Sequence, residues 1–213
     1  MAISEKEKMI GVDRRRLRGE RARASILEHA IAIASTDGLE GLSIGRVAAD
    51  AGVAKGNIQV LFGDKESLQL ATLENAVELY QRVVLDPAMA LATPAVRLEA
   101  VITAWFDFVE KRVLPGGCFL NAISSEYRAR PGRIRDRINE HRAAIRDRFA
   151  TLLRLGQEAG EFRKELDIDQ LVFELVAFQA AANVAALMGD TDEFTLARSA
   201  SLNRIRGARG CTR

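Results

Sequence analysis

Few side chains here are of the kinds that do covalent chemistry, and they lie far apart. The chain has two histidines, His29 and His141, and two cysteines, Cys118 and Cys211. Paired carboxylates in an identifiable cleft, metal-ligand spacing and a phosphate-cradling glycine loop are all missing from the pattern. No enzyme activity, metal site or cofactor is therefore expected. Two cysteines cannot build a disulfide framework, which fits a reducing cytoplasm. The side chains that do gather are basic. Lys6, Lys8, Arg14, Arg15, Arg16, Arg18, Arg21 and Arg23 against Glu5, Glu7, Asp13 and Glu20 give residues 1–25 a net charge of +4, although the whole chain carries only +2. A basic arm on a slightly acidic body is an asymmetry found in nucleic-acid binders, and a solvated terminus reads the same way. The second concentration is Leu42–Phe62. There Ala51-Gly52-Val53 joins two short helical stretches at helix-turn-helix spacing, which lets one helix cross a nucleic-acid groove and the next enter it.

Those side chains must be held by helices. Ile26, Ala30, Ile33 and Ala34 form one helical stripe, and Ile44, Val47, Ala48 and Ala51 form another whose hydroxyl cap is Ser43. Ile58, Leu61 and Phe62 mark a third helix, and Leu73, Val77, Tyr80 and Val84 a longer fourth one. Asp86-Pro87 is expected to end that helix. Thr93-Pro94 opens the next, with Leu98, Val101, Ile102, Trp105, Phe108 and Val109 on its stripe. A short helix spans Phe119–Tyr127. A long one follows through Ile134, Ile138, His141, Ile145, Phe149 and Leu152. Asp167 with Gln170, and Asp190 with Glu193, have the form of capping boxes for the last two helices. No segment alternates as a strand. The expected fold is all-α with about nine helices. The 213 residues, 48% hydrophobic and 28% charged with only 4 prolines, are globular in composition and exclude disorder and low-complexity classes. Met1–Ser25 has no apolar stretch of signal-peptide kind. Leu171–Met188, interrupted by Glu174, Gln179 and Asn183, is not expected to span a membrane. A soluble, cytoplasmic protein is expected.

Residues ~20–70 resemble the DNA-binding domain of the TetR family of transcriptional regulators. The resemblance runs through Ile26-Leu-Glu-His-Ala30, Gly38, Gly41-Leu42-Ser43-Ile44, Val47-Ala48 and Ala51-Gly52-Val53-Ala54-Lys55-Gly56-Asn57-Ile58. It continues into Phe62-Gly63-Asp64-Lys65-Glu66-Ser67-Leu68. It implies a helix-turn-helix domain over residues 1–66 and a helical effector-binding and dimerisation domain over 67–213. It also implies a dimer that reads double-stranded operator DNA with its third helix. Lys55, Gly56, Asn57, Gln59 and Val60 then fall on the reading face, with Ser43 and Lys65 placed for phosphates. The family usually has a tyrosine where Gln59 stands, followed by a histidine or another aromatic. Here Gln59 can pair bidentately with an adenine edge and Val60 can pack on a thymine methyl, or Gln59 merely covers an exposed face. Arg14, Arg16 and Arg18, with Arg15, precede the first helix as an arm able to reach a minor groove or flanking phosphates.

The remaining body is expected to hold a ligand pocket and a dimer face. Trp105, Phe106 and Phe119 supply aromatic surface. His141, Gln179 and Asn183 are polar groups on apolar stripes, so they read either as pocket groups or as satisfied core residues. Cys118 reads as a redox-sensing thiol or as a small core residue, and the tail Arg204–Arg213 as frayed. The helix Asp169–Met188 is apolar nearly all round. With Leu171, Leu175, Phe178, Ala182, Phe194 and Ile205 it is expected to build a four-helix interface between two copies, or to be a central core helix. The reading is a homodimeric regulator, most simply a repressor, released from its operator by an apolar or aromatic small molecule. The alternative is a helical small-molecule-binding or interaction protein of the same fold that no longer reads DNA.

Overall fold

The computed structural model describes residues 5–210, with side chains from residue 16 onward. The Arg14 side chain and Cys211 lie outside the described residues. Among those described, every regular element is helical, and β-type pairing is limited to an isolated bridge between Phe162 and Arg209. In chain order come α1 (Glu5–Asp37), α2 (Ile44–Asp50), α3 (Lys55–Phe62), α4 (Lys65–Tyr80), a π-helical turn (Gln81–Leu85) and α5 (Asp86–Met89). Then follow α6 (Pro94–Glu110), α7 (Phe119–Tyr127), α8 (Arg133–Glu158), α9 (Ile168–Met188) and α10 (Thr191–Gly207). Since α5 only prolongs α4 through the π turn, these amount to nine helical rods.

Two expectations fail, at α1 and at Pro87. Arg14, Arg16 and Arg18 lie within α1 rather than ahead of it. Lys, Arg and Glu are good helix formers, and an i,i+4 pair such as Arg16–Glu20, 3.4 Å apart, supports an exposed helical turn. Nor does Asp86-Pro87 stop the fourth helix. The Asp86 N–H donates back five residues to the Gln81 carbonyl, which shifts the ladder just ahead of Pro87. Pro87 then occupies the first turn of α5, where its missing N–H costs nothing.

The chain divides into two compact units, one up to Asn75 and one from Ala76, a division that falls inside α4. The first unit closes over Ile26, Ala30 and Ala34 of α1, Val47 and Ala48 of α2, Ile58 and Phe62 of α3, and Leu68 and Leu73 of α4. Polar contacts tie it together. His29 Nδ1 lies 2.8 Å from Asp50 Oδ2, Arg46 pairs with Asp37, and the buried Gln69 amide donates to the Leu39 carbonyl at 2.6 Å.

In the second unit α6 is the central helix, packed on α8, α9 and α10. It buries Leu98, Val101, Ile102, Trp105, Phe106, Phe108 and Val109. Phe106 stands edge-on to Trp105 at 5.0 Å and to Phe194 at 5.5 Å. The capping boxes form as expected: Asp167 accepts from the Gln170 N–H at 3.0 Å, and Asp190 from that of Glu193 at 2.9 Å. By length and composition α9 could cross a membrane, with a mean hydropathy of 1.8, yet here it packs against α10, α8 and α6.

The tail is not frayed up to Gly210. Arg204 pairs with Glu174, and Arg206 and Arg209 hold Glu99 at 2.8 and 3.0 Å. The Arg163 N–H donates to the Ala208 carbonyl, and the Gly210 N–H to that of Glu161. Burial pushes the Glu99 carboxyl up, but hydrogen bonds from Arg206 and Arg209 outweigh it and hold it below its usual range.

Candidate functional site

The nucleic-acid candidate is built from α2, α3 and the turn between them. The Ser43 side chain accepts from the Arg46 N–H at 3.1 Å and starts α2. Gly52, at φ +65°, makes the tight turn, a conformation that costs an ordinary residue about 1–2 kcal/mol. Ile58 and Phe62 anchor α3 in the core. Eight residues with two anchors leave Lys55, Gly56, Asn57, Gln59 and Val60 exposed, Val60 at 87%. All five residues expected on the reading face are thus brought together on one solvent-facing surface. Lys55 folds back over α2: a Cβ at Gly45 would meet its Nζ at 3.2 Å.

The phosphate-facing residues are placed differently. Ser43 is exposed, and its oxygen already caps α2. Lys65 is exposed but tied to Glu40, at 3.0 Å from the carbonyl and 3.2 Å from the carboxylate. Arg16 and Arg18 project from α1 as exposed groups. A groove of about 290 Å³ runs between α1 and α3, bordered by Ala22, Ser25, Asn57 and Val60, so α1 flanks the reading face. Arg23 was not singled out by sequence reasoning beyond its part in the basic arm. Its Nη1 donates to the Leu61 carbonyl at 3.0 Å and its guanidinium lies 4.4 Å from the centre of the Phe62 ring, which fixes the C-terminal end of α3 against α1.

The expected pocket residues of the second unit are not one constellation. Trp105, Phe106 and Phe119 are buried core. An inward aromatic looks the same in sequence whether it meets ligand or protein. His141 is half-buried on α8. Gln179 and Asn183 are buried on one face of α9. Asn183 Oδ1 accepts from the Cys118 N–H at 2.6 Å, and a Cβ at Gly117 would lie 2.5 Å from that oxygen, so glycine is required there. Asn183 is thus a brace for the start of α7. Gln179 Nε2 has no hydrogen-bond partner among the described residues. Burial pushes the Cys118 thiol up, away from the thiolate that a redox sensor needs.

Open space lies along α8 and α9, and of the expected pocket residues Asn183 borders it. One groove of about 670 Å³ is bordered by α7, α8 and α9, and a second of about 510 Å³ continues along α8 and α9. Asn121, Arg142 and Ala180 border both. The expected dimer residues are also displaced. Leu171, Leu175, Ala182, Phe194 and Ile205 are buried within the single chain, and Phe178 is half-buried. The apolar stripe left uncovered on α9 is Phe173 (67% exposed), Ala177, Ala180, Val184, Leu187 and Met188 (81%), joined by Leu196 of α10.

Residues 26–72 match the family model described as bacterial regulatory proteins, tetR family. Residues 94–201 match that of the tetracyclin repressor-like C-terminal domain. The chain belongs to the TetR family. No curated protein matches it. Among solved structures, a TetR transcriptional regulator from Chloroflexus aurantiacus J-10-FL shares 24% identity, with 92% of this chain and 99% of that one covered, at a TM-score of 0.81. A transcriptional regulator from Saccharomonospora viridis in complex with choline shares 21%, covering 91% and 100%, at 0.76. AibR in complex with isovaleryl coenzyme A and operator DNA shares 19%, covering 84% and 96%, at 0.65. At these identities the likeness is one of fold. This TetR-family chain therefore has the helix-turn-helix and all-helical body of a transcriptional regulator, with Gln59 exposed where a tyrosine is usual in the family.

Proposed function

We propose that this TetR-family chain is a homodimeric, sequence-specific DNA-binding regulator, a repressor released from its operator by a small molecule. The observation that carries the reading is the solvent-facing set Lys55, Asn57, Gln59 and Val60 on an α3 held from behind by Ile58, Phe62 and Arg23. A rigid helix with amide and ammonium groups outward suits base edges in a major groove. Arg16 and Arg18 on α1 supply sequence-independent phosphate attraction. Structural neighbours holding choline, and isovaleryl coenzyme A with operator DNA, support a role for small molecules. Regulation of transcription rather than catalysis, in the cytoplasm, follows from the same reading.

The dimer face of this proposal is the uncovered α9 stripe through Phe173, Val184 and Met188 with Leu196 of α10. Contiguous exposed apolar patches mark protein interfaces. Light scattering on a sizing column is expected to give a dimer at micromolar concentration and a monomer for Phe173→Glu; a wild-type monomer would refute the assignment. The DNA reading is tested by fluorescence anisotropy with the DNA flanking its own gene against a scrambled duplex, at two salt concentrations. A preference of several hundredfold for the flanking DNA is expected at near-physiological salt. Equal, weak and steeply salt-dependent binding to both, together with failure of a random-sequence selection, would leave a ligand-binding protein that does not read DNA.

A further inference from the structure

We propose that the seam between α8 and α9 binds an amphipathic small-molecule anion, an alkyl or aryl chain ending in a carboxylate or a phosphate. Arg135, Arg142, Arg146 and Arg154 recur at i, i+7, i+11 and i+19 on α8 and border the two grooves. That spacing keeps Arg135, Arg142 and Arg146 on one helical face, aligned over about 16 Å at 1.5 Å per residue, with Arg154 about a quarter turn round from them. None of the four side chains takes part in a hydrogen bond or an ion pair among the described residues. The contrast within the same unit is sharp: Arg198, Arg204, Arg206 and Arg209 each hold a carboxylate.

The larger groove is the more telling of the two. Its border contains Arg128, Arg135 and Arg142 and no aspartate or glutamate. Arg128 spends one donor on the Ser125 carbonyl at 2.6 Å. The side-chain amides of Asn121 and Asn139 stand on the same border. Its apolar wall is Ile138, Ala180, Val184 and Leu187, and the second groove prolongs that wall with Val172, Phe173 and Val176. The second groove does contain acids, Asp147 and Asp169, which assigns the anionic head to the first groove and the chain to the wall running toward the second. Guanidinium forks suit carboxylate and phosphate oxygens bidentately, and volumes of about 670 and 510 Å³ are those of ligand sites. Val184 and Leu187 belong both to this wall and to the stripe assigned to the second copy. An occupant therefore bears on subunit packing, which is how it would differ in affinity between two dimer arrangements.

The proposal rests on reading the second unit as ligand-binding, not on the reading of DNA, and its test uses no DNA. The full-length protein is titrated with dodecanoate, monododecyl phosphate, dodecanol and inorganic phosphate by calorimetry, with dansyl-undecanoate displacement as a second readout. Dodecanoate or monododecyl phosphate is expected to bind, and the better of the two identifies the head group. Dodecanol and inorganic phosphate are expected at least tenfold weaker, since each lacks one half of the ligand. Arg135→Gln with Arg142→Gln is expected to weaken the anionic amphiphile at least tenfold, with the thermal midpoint and subunit number of the unliganded protein unchanged. Arg154→Gln, in the second groove, is the control expected to change affinity less than threefold. Absence of binding by both amphiphiles up to millimolar concentration would overturn the site, as would dodecanol binding as tightly as dodecanoate. A double variant that binds unchanged, or that dissociates the dimer instead, would do the same; dissociation would make the arginines a subunit contact. Failure of operator binding in the separate anisotropy titration, with amphiphile binding intact, would count against the DNA reading alone.

Discussion

α3 and α9 are both helices that turn apolar side chains outward, but they do so for different reasons. In α3 the outward residues are mixed, with Lys55, Asn57 and Gln59 beside Val60, and two anchors, Ile58 and Phe62, fix which side faces the core. In α9 nearly every position is apolar. The packed face, with Leu171, Leu175 and Ala182, and the open face, with Phe173, Val184 and Met188, are alike in residue type. A helix that separates polar from apolar residues announces its orientation, whereas one that is apolar all round leaves its orientation to its neighbours.

The largest effect is expected in the packed core beside α9. Phe106→Ala is expected to lower the unfolding free energy by about 3–5 kcal/mol in a urea titration, because its ring is fully enclosed between Trp105 and Phe194. A loss below about 1 kcal/mol would mean that the ring borders ligand space after all. On the α3 side, Gln59→Ala is expected to weaken operator binding by about 1–3 kcal/mol while leaving the urea midpoint in place, since the side chain is exposed. Unchanged affinity and base preference would reduce Gln59 to surface cover. Ser43→Ala removes the cap of α2 and is expected to cost about 1 kcal/mol of stability. A second measurement, operator affinity in excess of that loss, separates phosphate contact from capping.

The smallest effect lies in the α6–α10 clamp. Glu99 is held below its usual range, so its ionised form favours the fold. That contribution is complete above the ordinary glutamate value of 4.5 and is lost as pH falls through the lower folded value. Glu99→Gln is expected to make the acid side of the stability profile shallower, by about 1 kcal/mol or less for a pair that is partly exposed. An unchanged acid limb would mean that Arg206 and Arg209 contribute nothing through charge.

Legibility followed local chemistry. The capping boxes at Asp167 and Asp190, the Ser43 cap and the Gly52 turn rest on contacts within a few residues, and all could be read from the chain. The fate of Pro87 could not, because a π turn upstream accommodates what a proline otherwise ends. Trp105, Phe106 and Phe119 lie buried, and an inward aromatic stripe carries no mark in the sequence of what it meets. The arginines of α8 read as one wall of a groove only when α9 is laid beside them, 33 or more residues later in the chain for Arg135 and Ile168.

The sequence by itself determined the all-helical class, the helix ends set by caps and glycines, and the helix-turn-helix with its outward residues, because periodicity and capping are properties of neighbouring residues. Only the tertiary structure decided which stripe of α9 stays open, that Asn183 braces Cys118, that the Arg204–Arg209 segment is pinned to Glu174 and Glu99, and that the Arg135, Arg142, Arg146 and Arg154 side chains meet no partner among the described residues. Each of these depends on which segments meet across the chain, and one helix among several that are apolar on more than one side does not carry that choice in its own residues.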